Sequence, residues 1–474
     1  MNKSQKSKPL LNLTLLYTVG SLATRIINFG LVFVTTFYLT KEEVGDYDLF
    51  IITLSMLTPI ATLQLAESGL RWLIEDSSTE KVKKVFSNIL ILLTLCLSVL
   101  GLIFASLKYL DVYSNESKLY ALVFFQSYFI IFQQIIRGIG NNKLFVSSSV
   151  LYSLIYALLA ISSLYFTDFK IDGLIWANII GSIVSCTYLF LLGGLSDYIS
   201  ISAFSRSLSI SFLKYSLPLI PNTLSWWAIS SANRFFILAY CGKAANGIFS
   251  ISQKIPTILL LFTSIFYQAW QEKAISIASD KNAGKYHTEV LEVYIRIMFS
   301  ITILIVTSTR IILKFMVSPQ FFESWKYTSI LLLGVIFNSL STFLGTGYLS
   351  RRDTKGAMIS YMAGGAVTLF SSWMLIPVYG LYGAGFGILF GYFLVFIIRN
   401  YDAFKRDGIR FPLGTFTKFL VLFLVSSSLN YFENNYIDLL NIVISTSILI
   451  WLNRKLIKDL FMRFRKKPLK TKIK

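Results

Sequence analysis

The chain has 474 residues, of which 55% are hydrophobic and only 14% are charged, and its mean hydropathy is +0.64. A soluble protein of this length would form about three domains and carry far more surface charge, so the composition excludes a soluble protein. The formal net charge of +20 is explained by basic loops on one side of a membrane and by attraction to anionic headgroups. No recognition fold accompanies the basic tail, so no nucleic-acid partner is expected.

About fourteen apolar runs follow one another, from Leu10–Leu39 to Ile437–Leu452, mostly with short loops between them. Runs of about 20 residues are long enough for a helix to cross the hydrocarbon core. We therefore predict an all-α, polytopic integral membrane protein with about 14 transmembrane helices. Lysine and arginine concentrate in alternate loops, which places both termini in the cytoplasm. The first run contains Arg25 and lacks a cleavage site, so it is predicted to be a membrane helix.

The sequence also shows a faint internal repeat. Gly45-Asp46-Tyr47 follows the first helix and Gly247-Ile248-Phe249 follows the seventh, with Lys41 and Lys243 at the same offset. A second pair of similar motifs leads into the sixth and twelfth helices. Repetition of this kind indicates duplication of a six-helix unit.

From this repeat we predict three parts of the chain. Residues 1–200 form an N-terminal lobe of helices 1–6, residues 201–410 form a C-terminal lobe of helices 7–12, and residues 411–474 form an appendage of helices 13–14 with a basic cytoplasmic tail. Transporters built from two such repeats bind substrate between the repeats and expose it alternately to each side. The sequence therefore favours alternating access around a central cavity.

Polar and charged residues inside the helices mark the candidate substrate site, because a charge near the bilayer centre costs about 2.5–3.5 kcal/mol on insertion scales. Arg25 lies in the middle of a polar stripe on helix 1 that includes Asn28. Glu67 and Arg71 in helix 2 are four residues apart and can form a pair. The remaining candidates are Gln133 in helix 4, Asn233 and Arg234 in helix 7, and Lys254 in helix 8.

Each candidate also has a purely structural interpretation. An arginine such as Arg25 can be paired within its lobe, Arg71 can extend to the cytoplasmic surface, and Gln133 can hold helices together. Arg310, near the outer end of helix 9, is interpreted as extending to the headgroups, and Arg399 is assigned to a cytoplasmic loop.

The sign of the deep charges indicates the kind of substrate. They are mainly positive, with Glu67 as the acidic exception, so the cavity is predicted to attract an anion. Phosphate oxygens would be bound by charge-assisted hydrogen bonds from Arg and Lys. The three cysteines have neither metal-ligand nor disulfide spacing, and neither a metal nor a cofactor is expected.

A group of motifs in the second half of the chain resembles those of a known family. The group comprises Ser216-Leu217-Pro218-Leu219-Ile220-Pro221 with Trp226-Trp227, Asn233-Arg234, Asn246-Gly247-Ile248-Phe249-Ser250, Lys254-Ile255-Pro256 and Ala269-Trp270-Gln271-Glu272. It is similar to the pattern of bacterial polysaccharide flippases (Wzx type) of the multidrug/oligosaccharidyl-lipid/polysaccharide exporter superfamily. One departure is Asn233, where many relatives have aspartate, so an ion or proton role of that carboxylate cannot be transferred.

The resemblance implies a flippase and not an enzyme. Its expected substrate is an undecaprenyl-diphosphate-linked oligosaccharide, moved across the bacterial cytoplasmic membrane for O-antigen or capsule-type surface polysaccharide. Expected partners are this lipid-linked oligosaccharide, the membrane lipids, and a polysaccharide polymerase and glycosyltransferases of the same pathway. No ATP hydrolysis is implied, and the chain has no G-x-x-x-x-G-K-[ST] loop.

Two other functions stay open at this point. A cation-coupled small-molecule (multidrug) exporter of the same superfamily would need carboxylates deep in the bundle to bind cations. Glu67 is the single candidate, which is weak evidence for such a site. A membrane-embedded glycan polymerase or ligase would need catalytic residues on a sizeable outer loop, and the sequence has none.

Overall fold

The computed structural model describes residues 10–109, 116–277, 280, 282–351, 353–456 and 458. This part of the chain is helical and contains no β-strand, which confirms the all-α class. The first nine residues and most of the predicted basic tail lie outside the described residues.

Seventeen α-helices form the described part of the chain, joined by short turns and four brief 3-10 segments. Their bounds are α1 (Leu10–Tyr38), α2 (Lys41–Ala61), α3 (Leu65–Glu75), α4 (Thr79–Tyr109), α5 (Glu116–Gly138), α6 (Asn142–Phe166), α7 (Lys170–Leu192), α8 (Arg206–Ser216), α9 (Leu219–Ser230), α10 (Asn233–Ser252), α11 (Lys254–Ser276), α12 (Ala283–Met316), α13 (Trp325–Ser350), α14 (Thr354–Tyr379), α15 (Leu381–Asp407), α16 (Leu413–Leu429) and α17 (Asn435–Leu452).

Membrane crossing follows from the length and apolar character of these helices. Within the described residues, 13 helical stretches are long and apolar enough to cross a membrane. One of them, Arg206–Ser276, has 71 residues and contains α8 to α11. Because a crossing needs about 20 residues, this stretch is long enough for two crossings, which agrees with about 14 predicted helices. The chain is therefore a multi-pass membrane protein.

The helices belong to two compact units. The first unit comprises residues 1–250 and 372–380. Within it α6 packs against α1 and α7, while α5 packs against α3 and α7. Phe86, Leu93, Leu122, Ile131 and Phe212 lie in its core with no exposed surface. Removal of this apolar surface from contact with solvent or lipid joins the helices into a continuous core.

The second unit comprises residues 251–371 and 381–474. Its central helix is α13, which packs against α11, α12 and α15. The last two helices, α16 and α17, pack against α12 and against each other. Residues 201–250 therefore belong to the first unit. The division of the chain at residues 200 and 410, which was derived from the internal repeat, stays a prediction.

A buried ion pair attaches the last two helices to α12. The Arg310 guanidinium lies 3.0 Å from the Asp438 carboxylate, and the two side chains are only 7% and 1% exposed. Arg310 also donates to the Asn430 carbonyl and lies over the Trp325 ring. The interpretation of Arg310 as a residue that extends to the headgroups is therefore wrong, because its charge is satisfied inside the protein.

Arg399 is also buried, although the sequence assigned it to a loop. Helix α15 continues to Asp407, and Arg399 is 4% exposed. Its guanidinium donates to the Ser360 hydroxyl and the Ser341 carbonyl, each at 3.0 Å, and lies over the Tyr361 ring. It joins α13, α14 and α15 within the second unit.

We predict that Arg310→Met destabilises the second unit. Removing one partner leaves the Asp438 charge buried and uncompensated, which costs about 3–5 kcal/mol of unfolding free energy. Thermal unfolding of the protein in detergent, followed by tryptophan fluorescence, measures the effect. Lys326→Met is the matched control, because the exposed pair of Lys326 with Glu433 is 3.8 Å long and pairs of that kind contribute about 0–1 kcal/mol. Equal effects of the two substitutions would contradict the prediction.

Candidate functional site

The two copies of the sequence repeat fold into similar helix–turn–helix segments. In the first copy, Thr40 caps α2: its hydroxyl accepts a hydrogen bond from the Glu43 amide, and the Glu43 carboxylate accepts one from the Thr40 amide. This reciprocal arrangement is a capping box, which fixes where the helix begins. In the second copy, Gly242 interrupts α10 with φ +84° and ψ 178°. A helical segment therefore starts at the repeated lysine in each copy, at Lys41 in α2 and at Lys243 after the interruption of α10.

These two segments lie against each other in the first unit, in what we call the paired-turn contact (residues 41–48 with residues 234–249). A Cβ atom on Gly45 would lie 2.1 Å from the Lys243 carbonyl oxygen, and one on Gly247 would lie 2.0 Å from the Lys41 carbonyl oxygen. The contact is therefore reciprocal, as at a two-fold axis. Only glycine permits this approach of the backbones.

Ion pairs join the same two segments. The Arg234 guanidinium lies 3.0 Å from the Asp48 carboxylate, with side-chain exposures of 3% and 15%, and it also lies over the Phe249 ring. At the more exposed edge, Lys243 lies 2.9 Å from Asp46. The Arg234–Asp48 pair is the more buried of the two, and its loss would leave a charge without compensation.

The side chain of Asn246 completes the contact. It has no exposed surface, and its amide nitrogen donates to the Gly45 carbonyl at 2.9 Å and to the Asp48 carboxylate at 3.4 Å. Its own carbonyl oxygen has no hydrogen-bond partner among the described residues.

Arg25 and Asn28 occupy a different part of the first unit, on α1. Both side chains are exposed, together with Ser21, at intervals of four and three residues that place them on one helix face. Within the described part of the chain, Arg25 forms no ion pair or hydrogen bond, which argues against the structural interpretation of Arg25.

A second exposed face of α1 is apolar. Val19, Ile26 and Phe37 are 63%, 69% and 59% exposed. At about 100° per residue they lie roughly opposite the face of Arg25. Because an apolar exposed face suits lipid and a charged one does not, α1 has the two surfaces expected of a helix between lipid and an aqueous pathway.

Glu67 and Arg71 lie on the short helix α3, which follows a break in the second predicted span. Leu63 and Gln64 have positive φ values of 47° and 53°, and the Gln64 side chain donates to the Thr223 hydroxyl at 3.0 Å. Both Glu67 and Arg71 are exposed. They do not form the ion pair that their spacing permits; Arg71 instead lies over the Tyr215 ring at 5.1 Å.

The other candidates have varied surroundings. Gln133 donates to the Ser148 and Ser149 hydroxyls at 3.1 and 2.8 Å, an arrangement that joins α5 to α6 as its structural interpretation proposed. Asn233 is buried beside Arg234 and accepts a hydrogen bond from its guanidinium. Lys254 is half-buried at the start of α11, in the second unit.

The structure therefore joins Asn233 and Arg234 with Asp48, whereas Arg25 and Arg71 lie on other helices. Asp48 was not among the predicted site residues, and the prediction of Arg234 as a positive charge available to an anion is wrong in this structure, because Asp48 compensates that charge at 3.0 Å. A signal was available, because Asp48 directly follows the repeated Gly45-Asp46-Tyr47 motif. A substrate-binding role for each candidate stays a prediction.

The fold, with charged groups buried among membrane-crossing helices, defines the class as a multi-pass membrane protein. A family model described as polysaccharide biosynthesis protein matches residues 10–271, which is more than half of the chain. The chain belongs to this family of polysaccharide biosynthesis proteins, which confirms the resemblance at the level of the family. A comparison with curated proteins finds no match.

Solved structures share the fold. The lipid II flippase MurJ in an inward closed conformation has a TM-score of 0.71 at 17% identity, covering 94% of this chain and 100% of MurJ. An inward-facing multidrug resistance MATE family transporter of the MOP superfamily has a TM-score of 0.66 at 15% identity, covering 81% and 94%. A MOP superfamily transporter from Pyrococcus furiosus has a TM-score of 0.59 at 13% identity, covering 84% and 95%. At these identities the similarity shows the fold alone.

We predict that Gly45→Val separates the paired-turn contact, because its side chain would overlap the Lys243 carbonyl. The measurement is crosslinking with a short bismaleimide between Asp46→Cys and Lys243→Cys, after the native cysteines are replaced by serine. The yield should fall severalfold. Gly30→Val is the control, since a Cβ atom at Gly30 meets nothing within 4 Å, and it should leave the yield unchanged. An undiminished yield in Gly45→Val would contradict the close approach.

Proposed function

We propose that this protein flips a diphosphate-linked lipid oligosaccharide, of the undecaprenyl type, from the cytoplasmic to the outer leaflet for surface polysaccharide assembly. The observation that carries the proposal is Arg25, which is exposed and has no ion-pair partner among the described residues, on a helix whose opposite face is apolar. A cation in this position binds phosphate oxygens through charge-assisted hydrogen bonds, while the apolar face remains in contact with lipid. Membership of the polysaccharide biosynthesis family supports a glycan cargo.

The proposed location is the bacterial cytoplasmic membrane with both termini inside. The basic loops support this orientation through the positive-inside rule. MurJ, whose name states that it flips lipid II, supports a lipid-linked substrate for this chain. A polymerase and glycosyltransferases are the proposed pathway partners, because a flipped oligosaccharide must be made on one side and used on the other.

A cation-coupled small-molecule exporter is the second candidate function. It is favoured by the shared fold of the multidrug resistance transporter and by Asp48, a largely buried carboxylate in addition to Glu67. The two functions differ in what a deletion strain accumulates. A flippase deletion accumulates lipid-linked oligosaccharide and lacks the surface glycan, whereas an exporter deletion becomes sensitive to toxic small molecules.

We predict that Arg25→Ala reduces glycan export about tenfold or more, because a hydrogen bond to a charged group contributes about 1.5–3 kcal/mol and 1.4 kcal/mol corresponds to a factor of ten. Surface glycan on complemented deletion cells measures export, and membrane fractionation checks insertion. Arg25→Lys should retain part of the activity.

Arg206→Ala provides the matched control. Arg206 is also an exposed arginine of the first unit, at the start of α8, and it lies outside the proposed binding face. Its loss should leave export near the wild-type level. Full export by a double Arg25→Ala and Lys254→Ala variant would reject the proposed anion-binding role of these cations.

A further inference from the structure

Arg137, near the end of α5, is held between two aromatic rings. Its guanidinium carbon lies 5.5 Å from the centre of the Tyr17 ring of α1 and 5.6 Å from the centre of the Phe145 ring of α6. At such distances an aromatic ring attracts a cation. The two rings also meet edge to face, 5.8 Å apart. Three helices of the first unit therefore fix the position of this side chain.

The hydrogen-bond donors of Arg137 are available to a ligand. Within the described part of the chain, its guanidinium donates no hydrogen bond and forms no ion pair. The Tyr17 hydroxyl donates to the Asn142 side-chain oxygen at 2.6 Å, which holds the Tyr17 ring in place. Arginine presents its N–H donors in a planar fork. Here the fork is positioned by aromatic contacts that use none of those donors.

Arg137 differs in this respect from the other arginines that are not exposed. Each of the others among the described residues donates to a protein acceptor, namely Arg234, Arg296, Arg310, Arg351 and Arg399. Those hydrogen bonds join helices, whereas Arg137 makes none. A half-buried charge costs free energy unless it is paired and hydrogen-bonded. The position of Arg137 therefore suits an anion that comes from outside the chain.

The location of Arg137 indicates which anion this is. Arg137 is the penultimate residue of α5, at the end that the positive-inside rule assigns to the cytoplasm. This places the guanidinium at the level of the lipid headgroups. Lys143, near the start of α6, is exposed and adds positive charge at the same end. Phosphate is the anionic group of lipid headgroups, and a guanidinium binds its oxygens in pairs.

One face of α1 connects this position with Arg25. Tyr17, Ser21 and Arg25 follow one another at intervals of four residues, so they lie along one side of the helix. The eight residues from Tyr17 to Arg25 span about 12 Å of helix. A phosphate that enters from the cytoplasmic end would therefore reach Arg137 before it reaches Arg25.

We propose that Arg137, with the rings of Tyr17 and Phe145, forms a phosphate-binding site at the cytoplasmic end of the first unit. The site takes the phosphate of a lipid, which is either the diphosphate of the lipid-linked cargo or the headgroup of a surrounding phospholipid. Because the rings already hold the guanidinium, binding costs little of its conformational freedom. The inference rests on the proposed function only where the phosphate belongs to the cargo.

The test is equilibrium binding to the purified full-length protein in detergent, measured by native mass spectrometry. The probes are undecaprenyl diphosphate, phosphatidylglycerol, and undecaprenol, which has no phosphate. Arg137→Gln should weaken binding of a phosphate-bearing lipid about tenfold, the effect of losing one hydrogen bond to a charged group. Its binding of undecaprenol should be unchanged. A loss confined to undecaprenyl diphosphate assigns the site to the cargo, whereas a comparable loss for phosphatidylglycerol assigns it to phospholipid.

Two substitutions of Tyr17 test the role of the rings. Tyr17→Leu leaves Arg137 in place but removes one ring, and it should weaken binding of the same lipid severalfold. Tyr17→Phe keeps the ring and should bind nearly as the wild type does. Arg206→Gln is the charge control, because Arg206 is an exposed arginine of the same unit at the start of α8. It should bind all three probes as the wild type does.

Unchanged binding of both phosphate-bearing lipids in Arg137→Gln would overturn the proposal. An equal loss in Arg206→Gln, an equal loss for undecaprenol, or equal binding by Tyr17→Leu and Tyr17→Phe would also overturn it. Gel filtration checks folding. If Arg137→Gln does not fold, Arg137→Lys, which keeps the charge without the planar fork, takes its place. Wild-type binding by both Arg137→Lys and Tyr17→Leu would then reject the site.

Binding is measured without transport, so its outcome is separate from that of the proposed function. Glycan export that depends on Arg25, together with unchanged lipid binding in Arg137→Gln, would reject this site alone. Lipid binding that depends on Arg137, together with a deletion strain that accumulates no lipid-linked oligosaccharide, would reject the proposed function alone.

Discussion

The close approach of Gly45 and Gly247 is the constraint around which the first unit is arranged. Two backbones that meet without side chains between them bring the carboxylates of α2 within reach of the cations of α10, and both ion pairs of the contact follow from that proximity. Because each glycine meets the carbonyl of the opposite lysine, the arrangement repeats itself across a local two-fold axis. The two similar motifs therefore form a self-complementary contact, comparable to the contact between identical subunits in a symmetric dimer.

The cations of the first unit differ in whether they have acidic partners. Lysines at the end predicted to be outside are matched by acids, as in the pairs of Lys118 with Asp172 and of Lys170 with Glu43. Arg25 lies on an exposed face of α1, and the part of the chain that the structure describes contains no acidic partner for it. The first group holds helices together, and the second is available to an external anion. Whether a cation forms an ion pair with an acidic residue therefore distinguishes structural cations from candidate binding cations better than its position in the sequence does.

Local patterns explain what the sequence could predict. The all-α membrane class and the family depend on apolar runs and short motifs, and both were confirmed, with 13 helical stretches among the described residues long and apolar enough to cross a membrane. The partners of the buried charges could not be predicted, because Arg234 and Asp48 are 186 residues apart and hydropathy contains no information about such a pairing. Arg310 and Arg399 were misjudged for the same reason: an arginine near a helix end has the same sequence pattern whether it reaches the headgroups or a buried partner.

The ion pair of Arg310 with Asp438 has a consequence for the biogenesis of the protein. Asp438 lies in the last transmembrane helix, and a carboxylate there is costly to transfer from the translocon into lipid. Its counterion is on α12, which is synthesised more than a hundred residues earlier. The final hairpin therefore enters the bilayer most easily when α12 is already in place to receive it, so the order of synthesis matches the order in which the charges can be neutralised.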